Sequence, residues 1–266
     1  MNCCEAGQFQ MTIQDAFQQI RPAALEFAGA LLDVESKGDG SPVTVADAEI
    51  GRLLQEILWR PGDGWLSEED DELRATDSEA TSWIVDPIDG TMEFTQKRHD
   101  WVVSVACIRR GRVVAGGIMA PIAKQMFLDH RCAVKATNGN RTVAQTGLQP
   151  TSRILASRSE VARGSWDVFE PGAFERVDVG SVAYKLALVS AGLAEGTISL
   201  APKNSWDIAA GILLVEAAGG RVVDLSGRSI DFSRARFKIN GLIAGSDSLV
   251  ADVESILKQP ETVVRA

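Results

Sequence analysis

Histidine is almost missing from this chain: His99 and His130 are the only two in 266 residues. Phosphohistidine chemistry and imidazole-based zinc sites therefore have little to work with, and a surface or packing role suits each histidine better. Cysteine is scarce too. Cys3, Cys4, Cys107 and Cys132 have neither zinc-ligand spacing nor the density of a disulfide scaffold, so reduced thiols in a cytoplasmic protein are expected. No apolar run approaches the roughly 20 residues of a membrane span. Residues 1–8 offer neither the basic nor the apolar region of a secretory signal, and the chain is expected to begin in effect near Met11. Positive charge is in deficit, with 27 Lys and Arg against 36 Asp and Glu and a net −9. A nucleic acid polymer would be repelled by that surface. A small phosphorylated metabolite would not, because a bound cation reverses the local field.

What remains is an ordinary globular composition, 45% hydrophobic and 24% charged. The length predicts one large or two intimately packed domains. Ile13, Phe17, Ile20, Phe27 and Leu31 mark a first helix with Pro22 as a kink, and Lys37–Pro42 reads as a loop. Ile50, Leu53, Leu54, Ile57 and Leu58 mark a second helix, with Thr44 and Asp47 as its capping box. Short strands are expected at Trp65 and Trp83, then a hairpin of 102–109 and 112–119 turning at Arg110-Gly111. Strands near Met126 and Val134 and a turn at Asn138-Gly139-Asn140 follow. Beyond Pro150 strands at 154–157, 176–179, 198–200, 222–225 and 242–244 alternate with helices at 182–191, 208–218 and 249–257. This pattern predicts an α+β half, residues 1–150, packed on an α/β half, residues 151–266.

Chemistry concentrates at Trp83-Ile84-Val85-Asp86-Pro87-Ile88-Asp89-Gly90-Thr91. An apolar strand runs into two carboxylates, with Pro87 stiffening the backbone between them. Carboxylates held this close repel unless a proton or cation lies between them, and hard ions such as Mg²⁺ select oxygen ligands. Gly90 permits close backbone approach, and Thr91 adds a hydroxyl where a helix opens. The plainer reading is that Asp-Pro and Asp-Gly are simply turn dipeptides. Two further segments weigh against it: Ser67-Glu68-Glu69-Asp70-Asp71-Glu72, and Trp206-Asp207-Ile208-Ala209-Ala210-Gly211. Alone, the first reads as a solvated acidic loop and the second as a helix start with Ser205 as N-cap.

Together with Ser41-Pro42-Val43-Thr44-Val45-Ala46-Asp47 upstream, these segments resemble the inositol monophosphatase superfamily of Mg²⁺-dependent, lithium-sensitive phosphatases. Asp89-Gly90-Thr91-Met92-Glu93-Phe94 is similar to the D-G-T-K-E-F of its 3'(2'),5'-bisphosphate nucleotidase branch, with Met92 in place of Lys. The resemblance implies a layered αβαβα sandwich, two or three Mg²⁺ ions, and a homodimer as one arrangement. It implies that Asp86 bridges metals, that Glu68 and the Ile88 carbonyl complete one site, and that Asp89 and Asp207 complete the other. Phosphate-ester hydrolysis needs a poised water and neutralised phosphoryl oxygens. Thr91 with Asp47 would hold and deprotonate the water, and the Gly90 and Thr91 amides would bind phosphate. Asp-x-Asp-x-Thr, the signature of aspartyl-phosphate enzymes, is not met, so direct attack by metal-activated water is expected.

Substrate choice rests on fewer residues. Where the family's inositol enzymes carry a Glu for a ring hydroxyl, seven positions ahead of the last metal Asp, this chain has Leu200. Gly180-Ser181-Val182-Ala183-Tyr184-Lys185 resembles the nucleotidases' G-S-S-L-K-F with one extra residue, which would bring Ser181 and Lys185 to a second phosphate. A snorkelling helix lysine is the alternative for Lys185. Lys203 is a further cation near the entrance. The favoured substrate is 3'-phosphoadenosine 5'-phosphate. Inositol monophosphate or another sugar phosphate is the alternative, and a non-catalytic phosphometabolite-binding protein is the rival of another class.

Overall fold

The computed structural model describes residues 3–30, 34–36, 42–69, 81–130 and 143–258. Helix α1 (Cys3–Gly29) leads into a hairpin of β1 (Val34–Ser36) and β2 (Pro42–Thr44), then α2 (Val45–Leu58). Five strands follow: β3 (Gly64–Ser67), β4 (Ser82–Asp89), β5 (Val102–Arg109), β6 (Arg112–Ala120) and β7 (Gln125–His130), with α3 (Thr91–Thr95) between β4 and β5. They pair in chain order, parallel only between β3 and β4. Arg110 and Gly111, both at positive φ (52° and 69°), make the tight β5–β6 turn, a conformation that matches strand twist.

The second half supplies β8 (Arg153–Ser157), α4 (Arg158–Ala162), β9 (Glu175–Val179), α5 (Val182–Ser190), β10 (Gly196–Ser199), β11 (Lys203–Asn204) and α6 (Ser205–Ala217). β12 (Arg221–Asp224), β13 (Lys238–Ile239), β14 (Leu242–Gly245) and α7 (Asp247–Leu257) end it. Its sheet has the order β12-β14-β10-β8-β9, parallel across β10-β8-β9 and antiparallel at β14, and β11 pairs with β13 apart from it.

Strand alternation sorts the side chains into layers. Along β4 and β5, Trp83, Val85, Val103, Val105 and Cys107 pack outward against Ile13, Phe17, Ile50 and Leu54 of α1 and α2. Ile84, Val102, Ala106 and Ile108 point the other way, into a core with Leu186 of α5, Ile208 and Leu213 of α6, and Leu155 and Ala244 of the second sheet. Beyond that sheet, Val250 and Val253 of α7 close over Ile154, Ile198 and Ile243. The result is the expected αβαβα sandwich. α6 lies between the sheets and is apolar nearly all round, as a helix with no solvent face should be. Gly116 and Gly117 of β6 let helices close in on both faces. A Cβ on Gly116 would stand 3.1 Å from the Ala210 Cα, and one on Gly117 within 2.8 Å of Ile13, Phe17 and Leu128.

Several expectations change. α1 is already helical at Cys3 rather than near Met11; Ala6 is buried, and Phe9 meets Trp83 edge-on at 5.9 Å between ring centroids. The N-cap of α6 is Asn204, not Ser205. The expected strand at Val134, the turn at 138–140, Leu31, the acids at 70–72, and the 37–42 loop except Pro42 lie outside the described residues.

Candidate active site

β4 does not stop at its first carboxylate. Pairing with β5 continues from Asp86↔Ser104 to Asp89↔Val102, with a shift of register between. Pro87 has no N–H for the ladder, and a bulge is where a strand tolerates that. In a regular strand residues three apart face opposite sides. The irregularity brings Asp86 and Asp89 close enough to repel each other. Ile88 N donates to Asp86 Oδ1 at 3.1 Å, closing the turn. Gly90 follows at φ 98°, ψ 43°, a left-handed conformation beside Trp101 and Ser181, where a Cβ would come within 3.3 Å. α3 begins at the next residue, Thr91.

Glu68 just past β3, Asp86 in β4 and Asp207 in the first turn of α6 each bring a carboxylate oxygen within 4.8 Å of the others. Asp86 is buried. Loss of water pushes its carboxyl well above the usual range, and Glu68, Asp89, Asp207 and Asp47 push it further. Asp207 is raised by burial, then by Asp89 and Glu68, against relief from the Asn204 amide and Lys203. An all-oxygen donor set in mutual repulsion is what a divalent hard cation satisfies, so these residues fit Mg²⁺.

Asp47 divides its two oxygens. Oδ2 accepts from Thr44 N at 2.8 Å and Thr44 Oγ1 at 2.7 Å, the capping box of α2. Oδ1 faces the Thr91 hydroxyl at 3.4 Å, which also lies 3.1 Å from the Ile88 carbonyl oxygen. Burial chiefly, with Glu69 and Glu68, raises Asp47 to about 6. The cap occupies one oxygen of Asp47 and leaves the other turned to Thr91.

The expected phosphate contacts are arranged otherwise. Ser181 is buried and donates through Oγ to Asp89 Oδ2 at 2.5 Å, and the Ala183 amide reaches the same oxygen at 2.6 Å. Lys185 neither snorkels nor meets the cleft. It has no exposed surface, and its ammonium donates to the Val179 and Gly180 carbonyls at 3.3 and 2.9 Å. Burial lowers its pKa to about 8. Lys203 keeps 14% of its side chain exposed and lies 3.3 Å from Glu160 Oε1.

Glu160 was not foreseen. Fully buried in α4, it accepts from Ser199 Oγ, the Leu200 and Ala201 amides, Lys203 Nζ and Trp166 Nε1 at 2.6–3.3 Å. These bonds fix the loop that leads into α6. Ser157-Arg158-Ser159-Glu160 directly after a strand is a helix-start signature, but nothing local connects it to residues some 40 positions on. Asp100 went unseen for the same reason. It accepts from the Gly180 amide at 2.7 Å and pairs with Arg158, which also approaches Glu93 at 3.5 Å.

The inositol monophosphatase family model matches residues 6–258. The 3'(2'),5'-bisphosphate nucleotidase CysQ of Shigella flexneri is 32% identical over 209 residues, covering 76% of this chain and 84% of the relative. The inositol-1-monophosphatase of Rhizobium meliloti is 27% identical over 261 residues, covering 93% and 95%. The crystal structure of the extragenic suppressor protein suhB from Bartonella henselae superposes with a TM-score of 0.80 at 28% identity, over 95% of this chain and 99% of that one. The chain therefore belongs to the inositol monophosphatase family, whose members are Mg²⁺-dependent phosphoric monoester hydrolases.

Proposed function

We propose that this protein hydrolyses a small phosphate monoester with Mg²⁺, and that its preferred substrate is a bisphosphorylated nucleotide of the 3'-phosphoadenosine 5'-phosphate type. The carrying observation is the carboxylate cluster of Glu68, Asp86 and Asp207 beside the Asp47–Thr91 pair. Bound Mg²⁺ supplies charge neutralisation for the phosphoryl oxygens. The Glu68, Asp86 and Asp207 carboxylates, with Asp89 and the Ile88 carbonyl, would hold it. Thr91 Oγ orients a water, and Asp47, ionised above about pH 6, draws the proton through the Thr91 hydroxyl. The Gly90 and Thr91 amides cradle the transferred phosphate.

For the substrate, Leu200 packs into the apolar cluster beyond the second sheet and offers no side-chain acceptor to a ring hydroxyl. Lys203, close enough to relieve Asp89 and Asp207, provides a cation for a second phosphate. The nucleotidase relative supports this reading. The inositol-1-monophosphatase matches, which span more of the chain, support inositol monophosphate as the second reading.

A panel of nucleotide bisphosphate, inositol monophosphate and sugar phosphates, assayed for phosphate release with Mg²⁺ and with EDTA, decides. The expected result is Mg²⁺-dependent release with the highest kcat/KM on the bisphosphate. In Lys203→Ala that value should fall about tenfold, with monophosphates little changed. A preference for inositol monophosphate overturns the substrate, and no release from any compound overturns the hydrolase reading in favour of a binding protein.

A further inference from the structure

A buried lysine close to a cluster built for a divalent cation is electrostatically misplaced, since like charges repel and burial disfavours the ammonium. Its contacts give it another task. The segment Val179–Ala183 is gripped on both sides. Lys185 Nζ holds the Val179 and Gly180 carbonyls, and Asp100 Oδ2 holds the Gly180 amide. Gly180 itself lies against Glu93, where a Cβ would come within 2.1 Å of the carboxyl carbon. From this fixed segment the Ser181 hydroxyl and Ala183 amide converge on one oxygen, Asp89 Oδ2. Ser181 Oγ also caps α5 by accepting from Tyr184 N at 2.9 Å, so its hydroxyl hydrogen is directed at Asp89. Oδ2 thus carries two hydrogen bonds, which leaves Oδ1 as the oxygen available to a ligand.

We infer that Ser181 and Lys185 are positioning residues for Asp89, forming a clamp that turns this carboxylate into a single-oxygen ligand, and that neither contacts substrate. The inference rests on the Mg²⁺-dependent reading above and goes beyond it by moving two residues from substrate recognition to metal-site geometry. The sign of the effect separates positioning from charge. Removing a nearby cation would strengthen Mg²⁺ binding if only electrostatics mattered. Losing the clamp weakens it, because Asp89 then samples orientations that do not serve the ion.

The test is calorimetric titration of Mg²⁺ alone into the metal-free full chain, for the unmodified protein, Ser181→Ala, Lys185→Met and the double variant, with circular dichroism to confirm folding. Mg²⁺ Kd should rise about tenfold in each single variant, the usual scale for a lost metal-site supporting bond. The double variant should be little worse than the poorer single, because both act through one carboxylate. The ratio of kcat/KM for bisphosphate and monophosphate at saturating Mg²⁺ should stay within about twofold of the unmodified ratio. Unchanged or tighter Mg²⁺ binding overturns the inference, as does a collapse of the bisphosphate preference in Lys185→Met. If Lys185→Met does not fold, Ser181→Ala still decides. Calorimetry needs no substrate, so a protein that binds Mg²⁺ but releases no phosphate would end the hydrolase reading and leave this one tested.

Discussion

Two buried acids, Asp86 and Glu160, are treated in opposite ways. Asp86 is surrounded by Glu68, Asp89, Asp207 and Asp47, and its carboxyl is driven up. Glu160 is as deeply buried, yet it is supplied with five donors, one of them the Lys203 ammonium, and its carboxyl is held below the usual range. Burial would raise it, and the Ser199 hydroxyl, the Leu200 amide and the Lys203 and Lys185 charges together outweigh that. A buried charge must be paired or hydrogen-bonded. The fold completes that requirement at Glu160 and leaves it open at Asp86. On the proposed Mg²⁺ reading, the difference separates an acid that shapes the protein from one whose charge a bound cation would balance.

The sharpest way to break the comparison is Asp86→Asn. Phosphate release should fall roughly a thousandfold or more, since a central ligand charge is lost, while the protein melts no lower because a repulsive charge has gone. Near-normal Mg²⁺-dependent turnover in the folded variant would remove Asp86 from the metal site. Thr91→Ala should cost about a hundredfold in kcat with KM little moved, because the water it orients matters in the transition state. A rise in KM at constant kcat would make Thr91 a substrate contact instead. Glu160→Gln should show the reverse profile, with stability down by about 1–3 kcal/mol as the Ser199, Lys203 and amide donors lose a charged acceptor. Thermal melting reads this as a drop of about 2–4 °C per kcal/mol. An unchanged melting temperature would mean the loop is held by other contacts.

The smallest effect is in pH, and the two regions carry opposite signs. Asp86, Asp207 and Asp47 have folded pKa values above their unfolded ones. Their contribution is complete below about pH 4 and is lost as pH rises, for Asp47 through about 6. Glu160 is shifted down, so its contribution is present above about pH 4.5 and is lost as pH falls. In EDTA, the melting temperature of Asp86→Asn should decline less than that of the unmodified protein between pH 4 and 7, and added Mg²⁺ should reduce the difference. Glu160→Gln should lose less than the unmodified protein on acidification below pH 4.5. Parallel pH profiles for all three proteins would dissolve the distinction.

This contrast also explains what could be read without coordinates. Asp86, Asp89 and Thr91 sit within six residues, so local spacing drew attention to them; spacing gave Asp47 only as a cap with Thr44, and its place at the site came from the family resemblance. The strand and helix periods forecast most of the layers. Glu160 and Asp100 stayed hidden because their partners come from distant segments, brought together only by the second sheet and α5. The role of Lys185 was open for a related reason. A lysine on a helix gives no sequence sign of whether its stem ends in water or beneath two carbonyls. Asn204 and Ser205 are both good N-caps, and only the capping box between Asn204 and Asp207 separates them.

The paired glycines of β6 have a reach that their distance from the carboxylates disguises. Asp207 rides on α6, and α6 can sit where it does because Gly116 presents no side chain to Ala210, three residues along the same helix. A single methyl group there would act like a shim slipped behind a hinge plate, asking the helix that carries Asp207 to give by a few tenths of an ångström. The spacing of Asp207 from Asp86 and Glu68 therefore depends partly on a glycine in a strand that carries none of these acids.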